Sequence, residues 1–212
     1  MQVAIPLYPR VTALDAIGPY EVLQRVPELE IVFVGAERGE VRTENGLLGL
    51  TVDATYADVP APDVVVVPGG TGSRDHLAGG ALVDWLRAVH PTTRFTTSVC
   101  TGSLILGAAG LLRGLEATTH WSVHEELARF GAVPVHQRVI EHPARRVITA
   151  AGVSAGIDMG LRLISQLIDE TAAQAAQVAV EYDPEPPFDA GHPDKVSPEV
   201  LARLQTYRRN RA

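Results

Sequence analysis

Cys100 is the only cysteine among 212 residues, and it sits in Thr96-Thr97-Ser98-Val99-Cys100-Thr101-Gly102-Ser103-Leu104-Ile105-Leu106-Gly107. Residues 94–99 are rich in β-branched and aromatic side chains, as a buried strand is. Residues 101–111 space Leu104, Ile105, Ala108 and Leu111 at helical intervals. Cys100 therefore stands at a sharp strand-to-helix turn. Ser98 and Gly102 supply the small neighbours, two places before and two after, that a nucleophile elbow needs. The chemistry such a place permits is nucleophilic. Amides opening the next helix, and its dipole, favour a thiolate, so the thiol pKa is expected to fall. The same amides would hold a developing negative charge. From the residues alone, Cys100 reads equally as a small buried packing residue. A lone cysteine excludes a disulfide or a cysteine-based metal cluster within one chain.

Three further groups bear on a site. Asp15 lies at the front of a helix over residues 14–23, where capping or dipole compensation is the simplest role for an acid. Gly69, Gly70 and Gly72 follow four valines, but no Gly-Lys-Ser/Thr comes after them and the spacing is not that of a dinucleotide fingerprint. Their expected use is to bring backbone amides close to something at the carboxyl ends of the strands, where open α/β sheets bind ligands. His120 and His124 are four apart on an expected helix, with Glu125 beside them. There is no His-Glu-x-x-His order and no third ligand, so no metal site is expected.

The elements that must position these groups alternate. Val3-Ala4-Ile5-Pro6-Leu7 is a first strand. In the helix that follows, Pro19 belongs in the first turn or at a kink, because it lacks an amide. Residues 30–35 form a second strand, and Asn45-Gly46 turns a hairpin within 41–54. Val64-Val65-Val66-Val67 is apolar on both faces, the habit of a parallel sheet. A helix is expected over 74–89, a strand over 115–119, an amphipathic helix over 121–130, and a second strand pair over 135–141 and 145–150 turned at His142-Pro143-Ala144. A long helix then reaches about Asp169, another spans 171–182, and an extended Pro-rich segment covers 183–188. Asp158 is expected to cap or pair locally. Residues 197–211 make one arginine-bearing amphipathic helix. The whole predicts an α/β three-layer sandwich with a mostly parallel, flavodoxin-like sheet. Asp15, Gly69-Gly70 and Cys100 then all fall at the carboxyl ends of neighbouring strands.

Composition narrows the function classes. The chain is 46% hydrophobic and 20% charged, which suits one globular domain with a real core. A formal charge of −7 argues against nucleic acid as a partner. Lys195 is the only lysine and lies in a Pro-rich stretch, which argues against Schiff-base chemistry. No apolar run has the length to cross a bilayer, and no basic leader precedes the first strand, so a cytoplasmic location is expected.

Four blocks carry a resemblance: Leu14-Asp15-x-x-Gly18-Pro19-x-Glu21-Val22, Val67-Pro68-Gly69-Gly70, Ser98-Val99-Cys100-Thr101-Gly102 and Gly152-x-Ser154-Ala155-Gly156-Ile157-Asp158. Together they resemble the ThiJ/PfpI superfamily, whose fold is glutamine-amidotransferase-like. The likeness runs to about residue 193, which sets an expected division into an α/β domain over 1–193 and a tail over 194–212. Within the superfamily, Cys100-Thr101-Gly102-Ser103-Leu104, Ala117-Thr118-Thr119-His120-Trp121 and the Glu181-Tyr182-x-Pro184-x-Pro186-Pro187-Phe188-x-Ala190-Gly191 segment are similar to isonitrile hydratases. That resemblance implies addition of water to an isonitrile without metal or organic cofactor, and a homodimer. It assigns the functional roles to Cys100, Thr101 and Asp15. Glu21 is the rival acid, because other branches place a glutamate from this region near the cysteine. Asp15 and Glu21 lie on different faces of one helix, and Asp15 is preferred.

The chemistry asks for an acid beside a nucleophile, because an isonitrile carbon becomes a good electrophile once protonated. Asp15 would deliver the proton, Cys100 would attack, and Thr101 would orient substrate or water. Gly69 and Gly70 would line the site, with the Gly70 and Thr101 amides as donors. For Asp15 to serve near neutral pH, its pKa has to be raised by burial or by a nearby thiolate. Glyoxalase-, deglycase- or amidase-like work on the same cysteine is the alternative enzyme reading. It lacks the histidine that PfpI-type hydrolases carry after the nucleophile, where this chain has Thr101, leaving His120 as the nearest proton relay. The non-enzymatic alternatives are a redox sensor and a ligand-sensing domain, since two of the motifs also resemble the amino-terminal halves of AraC-type regulators.

Overall fold

The computed structural model describes residues 1–209, and the chain forms two compact units, Met1–Glu181 and Tyr182–Ala212. The first unit is built on seven paired strands. In chain order they are β1 (Gln2–Pro6), β2 (Glu30–Gly35), β5 (Ala54–Thr55), β6 (Val64–Val67), β7 (Phe95–Val99), β10 (Val139–His142) and β11 (Val147–Ala150). Their spatial order is β10-β11-β7-β6-β1-β2-β5, with every neighbouring pair parallel except β10 and β11. Two small pairs lie outside this sheet. The strands β3 (Gly39–Arg42) and β4 (Gly49–Val52) form the hairpin around Asn45-Gly46, and β8 (Glu116–Ala117) pairs with β9 (Val133–Pro134).

The four valines of β6 show how the layers arise. Val64 and Val66 join the core on one face, with Val3, Ile5, Leu23, Met159 and Leu163. Val65 and Val67 join the core on the other, with Leu82, Leu86, Leu104 and Leu106. A strand alternates its side chains between faces, so a strand apolar at every position requires cover on both. Helices α1 (Ala13–Leu23), α4 (Ala155–Leu167) and α5 (Glu170–Ala179) cover the first face, and α2 (Ala81–Val89) and α3 (Gly102–Ala108) the second.

Helices α1 and α4 pack closely because glycine lines the contact. A Cβ on Gly156 would come within 3.1 Å of Pro19 and of Val99. Pro19 itself lies inside α1, beyond its first turn, and it is buried there. Asp158, in the first turn of α4, pairs with Arg138, which lies ahead of β10.

Three expected elements come out differently. The helix predicted over 74–89 is a 3-10 segment, Thr71–His76, followed by α2; Gly79 and Gly80 separate them with φ of 110° and 113°. The helix predicted over 121–130 is a 3-10 segment, Trp121–Phe130, broken by non-helical geometry at Val123. The strand predicted over 115–119 shrinks to β8, because Thr118 and Thr119 turn their polar groups to β11 and to Cys100 rather than to a strand partner.

The second unit contains a short turn at Pro193–Lys195 and α6 (Pro198–Arg209), with Lys195 paired to Asp189. The Pro-rich segment 183–188 belongs to this unit. Arg211, the end of the expected tail helix, lies outside the described residues.

Candidate active site

Three adjacent strands, β7, β6 and β1, deliver the groups singled out from the sequence. Past the end of β1 the chain turns into α1 and sets Asp15 in its first turn; β6 runs into Gly69-Gly70; β7 runs into Cys100. Cys100 has φ of 57°, a left-handed conformation that costs a residue with a side chain about 1–2 kcal/mol. Its amide bonds to the carbonyls of Ala150 and Ala151 at 3.1 and 2.9 Å, which fixes the bend. Gly102 has to be glycine, because a Cβ there would drive into the carbonyl of Val67. Ser98, the other small neighbour, is fully buried.

Asp15 is completely buried, and its Oδ2 accepts the amide of Gly69 at 3.0 Å. Its Oδ1 is buried without a well-formed hydrogen bond, and the carboxyl lies against the Cys100 thiol. Capping is thus not its role: the helix begins at Thr12, and the carboxyl points away from the helix into the site. Burial pushes the Asp15 pKa from 3.8 up to about 7; the Gly69 amide and the Cys100 thiol oppose the rise, and the charge of Glu44 adds to it. Burial raises the Cys100 thiol well above the ordinary range, and the charge of Asp15 raises it further, against the amides of Val153 and Thr101. The expectation of a low thiol pKa is corrected here. Loss of water and the facing carboxylate outweigh the Thr101 amide at the head of the seven-residue α3 and the Val153 amide ahead of α4. The proton in this pair rests on sulfur, and Asp15 is the group that titrates near neutrality.

Gly69 is the meeting point of the site. A Cβ there would lie 2.5 Å from the Thr101 amide nitrogen, 2.6 Å from Thr101 Oγ1 and 2.9 Å from Asp15 Oδ2. The Thr101 hydroxyl accepts the Gly70 amide at 2.9 Å and the Ser73 hydroxyl at 3.0 Å, and donates to the Gly70 carbonyl at 3.1 Å. Neither glycine amide is therefore free to hold substrate: Gly69 serves Asp15 and Gly70 serves Thr101. The donors that reach the sulfur are the amides of Thr101 and Val153.

Glu21 is not in this cluster. Its carboxylate is paired at the surface with Arg25 and Gln24, on the face of α1 away from Asp15. His120 bonds to Ser122 and packs over Gly152, where a Cβ would lie 2.7 Å from the imidazole. His124 points elsewhere and stacks on His136 with ring centroids 3.7 Å apart. The two histidines do not share a helix face, because the segment between them is kinked. Among the described residues no three His, Cys, Asp or Glu side chains gather as a metal cage, and no helix is long and apolar enough to cross a membrane.

Four contributors are absent from the sequence reading. Ser73 holds Thr101, the Val153 amide reaches the sulfur, and Tyr8 is buried with its hydroxyl donating to the Pro68 carbonyl at 2.6 Å. Glu44, from the β3–β4 hairpin, accepts the Thr71 amide at 2.8 Å. Ser73 carried a signal, since it follows directly on the glycine run. The other three are placed by long-range packing that no local pattern announces.

A buried carboxyl against a cysteine on a left-handed elbow, at the carboxyl edge of a parallel sheet with helices on both faces, is the arrangement of a known class. The chain belongs to the DJ-1/PfpI family, which it matches over residues 1–166. It is 41% identical over 201 residues to an isonitrile hydratase of Pseudomonas putida, across 95% of this chain and 87% of that one. The crystal structure of a ThiJ/PfpI family protein from Pseudomonas syringae superposes with a TM-score of 0.91 at 36% identity, covering 97% of this chain and 85% of that chain. An HTH-type transcriptional regulator of Pseudomonas aeruginosa, CdhR, is 32% identical over 149 residues, 70% of this chain but 42% of the regulator.

Proposed function

We propose that the protein is an isonitrile hydratase, converting an isonitrile and water into an N-substituted formamide on Cys100 with Asp15 as the proton carrier. The observation that carries the reading is the buried Asp15 carboxyl, with a pKa of about 7, lying against the only thiol in the chain. The similarity to the Pseudomonas putida enzyme supports the substrate class.

The steps follow from where the protons rest. Protonated Asp15 gives its proton to the terminal carbon of R–N≡C. Sulfur then bonds to that carbon while the thiol proton passes to the Asp15 carboxylate, leaving the thioimidate R–N=CH–S–Cys100 and a neutral Asp15. Asp15 next protonates the imine nitrogen, and its carboxylate takes a proton from the water that adds to the carbon. In the tetrahedral adduct Asp15 gives its proton to the departing sulfur and its carboxylate takes the adduct's hydroxyl proton in exchange, so that R–NH–CHO departs and Cys100 and Asp15 both return to their protonated starting forms. Atoms balance, and no cofactor enters. A raised carboxyl pKa serves each step, because Asp15 has to be acid and base by turns near one pH.

Thr101 acts in this scheme by holding the Gly69-Gly70 turn against Asp15. The reading brings a small-molecule partner and, from the family resemblance, a homodimer, which light scattering on the purified protein checks. The test of the reaction is formamide production from cyclohexyl or benzyl isonitrile, followed by chromatography. Wild type should form it and Cys100→Ala should not. kcat/KM should fall above about pH 7 as Asp15 loses its proton. Absence of formamide with wild type over pH 5–9 overturns the proposal and redirects attention to small aldehydes.

A further inference from the structure

We propose that Ser73 is a positioning residue for Asp15, acting through Thr101: its hydroxyl fixes the direction of the Thr101 O–H and so locks the Gly69-Gly70 turn whose amide is aimed at the carboxyl. Activity consequences rest on the hydratase reading; the placement of Asp15 does not.

A hydroxyl has one proton to give and two lone pairs. Thr101 uses all three. The Gly70 amide and the Ser73 hydroxyl occupy the lone pairs, so the proton is left with the Gly70 carbonyl. Ser73 also donates its own amide to that carbonyl at 3.0 Å. The result is a closed ring in which Ser73, Gly70 and Thr101 each touch the other two. Ser73 is 1% exposed and Gly70 is buried, while Thr101 is partly buried, so the Ser73 hydroxyl has little access to water as a substitute partner and its hydrogen bond is costly to leave unmade. The N–H and C=O of Gly70 belong to the peptide planes on its two sides, so holding both limits how far Gly69 can turn; the Gly69 amide lies one plane earlier, in the peptide whose Pro68 carbonyl accepts the Tyr8 hydroxyl. That amide is the one well-formed hydrogen bond on Asp15.

Without the Ser73 hydroxyl, Thr101 loses the donor that fixes the direction of its O–H. The hydroxyl is then free to turn, and the Gly70 peptide loses the donor–acceptor match that holds it. A looser turn presents a poorer amide to Asp15. The other groups facing the carboxyl are the Cys100 thiol, the Glu44 carboxylate and the buried Tyr8 ring. None of them replaces an amide as a stabiliser of the ionised form, because Glu44 repels it, the thiol is already engaged, and the Tyr8 hydroxyl is given to Pro68.

The test needs no substrate. The Asp15 titration is read by NMR of protein carrying 13C at the aspartate carboxyl, assigned with Asp15→Asn. Ser73→Ala should move the midpoint upward by about half a pH unit or more, and Ser73→Thr, which keeps the hydroxyl, should restore it. In a Thr101→Val background, Ser73→Ala should add nothing, since its route is gone. An unmoved midpoint in folded Ser73→Ala overturns the proposal, as does an equal shift with and without Thr101. Should Ser73→Ala fail to fold, Thr101→Val alone decides: the same upward shift supports the ring, and an unchanged midpoint sinks it. With isonitrile as substrate, Ser73→Ala should carry the upper limb of the kcat/KM profile upward by the same interval.

Discussion

The Asp15 carboxyl and the Cys100 thiol face each other across the ends of β1 and β7, and each governs where the other holds its proton. Burial lifts both, but their contact divides the effect: it favours the ionised carboxyl and disfavours the thiolate. Cys100 is thus held as a thiol, and in the proposed reaction it gives up its proton only to the Asp15 carboxylate.

Alkylation of Cys100 should reflect this. At pH 7.5 iodoacetamide should react much more slowly with the native protein than with free cysteine. Asp15→Asn removes the charge that raises the thiol and should speed the reaction by about tenfold or more, one pKa unit being a factor of ten in thiolate. A native thiol that alkylates faster than free cysteine would contradict the arrangement described.

Stability should depend on pH through the same carboxyl. A carboxyl whose folded pKa is raised binds its proton more tightly folded than unfolded, so stability declines as pH rises from about 4 through about 7. Above that window the penalty is complete, on the order of 4 kcal/mol for a rise from 3.8 to about 7. Asp15→Asn should therefore raise the Tm at pH 8 and leave it nearly unchanged at pH 4. Thermal melts of the two proteins across pH 4–8 check this, and parallel curves would exclude it.

Glu21→Gln separates the two acids of α1. Its carboxylate is engaged at the surface, about half exposed, with Arg25. Such pairs contribute about 0–1 kcal/mol, so formamide production should be within about twofold of wild type and the Tm should move little.

Gly102→Ala probes the elbow. The added methyl group would enter the carbonyl of Val67, backbone that cannot swing aside. A loss of about 3 kcal/mol or more is expected by urea unfolding. A variant as stable as wild type would show that α3 can shift, and the geometry at Cys100 with it.

Much of this is legible in the sequence. Four consecutive valines demanded cover on both faces, and glycine with serine around Cys100 demanded an elbow, because both are local steric facts. The alternation of strands and helices already sets Asp15 at the same sheet edge as Cys100; its position at a helix front suggests a cap, and its role as the acid comes only from the resemblance. The helix over 74–89 was misread because Gly79-Gly80, with nothing within 4 Å of either missing Cβ, breaks it by conformation and not by packing. The helix over 121–130 was misread because its apolar spacing survives a kink that periodicity does not register. The thiol pKa was misjudged because the sequence displays the helix after Cys100 but not the depth of burial nor the carboxyl across the sheet. Ser73 escaped because its partner is 28 residues away.

The occupied amides of Gly69 and Gly70 have a bearing on selectivity. A peptide, amide or ester reacting here would build negative charge on oxygen and find those two donors already engaged with Asp15 and Thr101. The terminal carbon of an isonitrile builds no such charge; it asks for one proton and one sulfur. On the proposed reading, the cleft disfavours carbonyl compounds by leaving only the Thr101 and Val153 amides near the sulfur, with no bulky gatekeeper required.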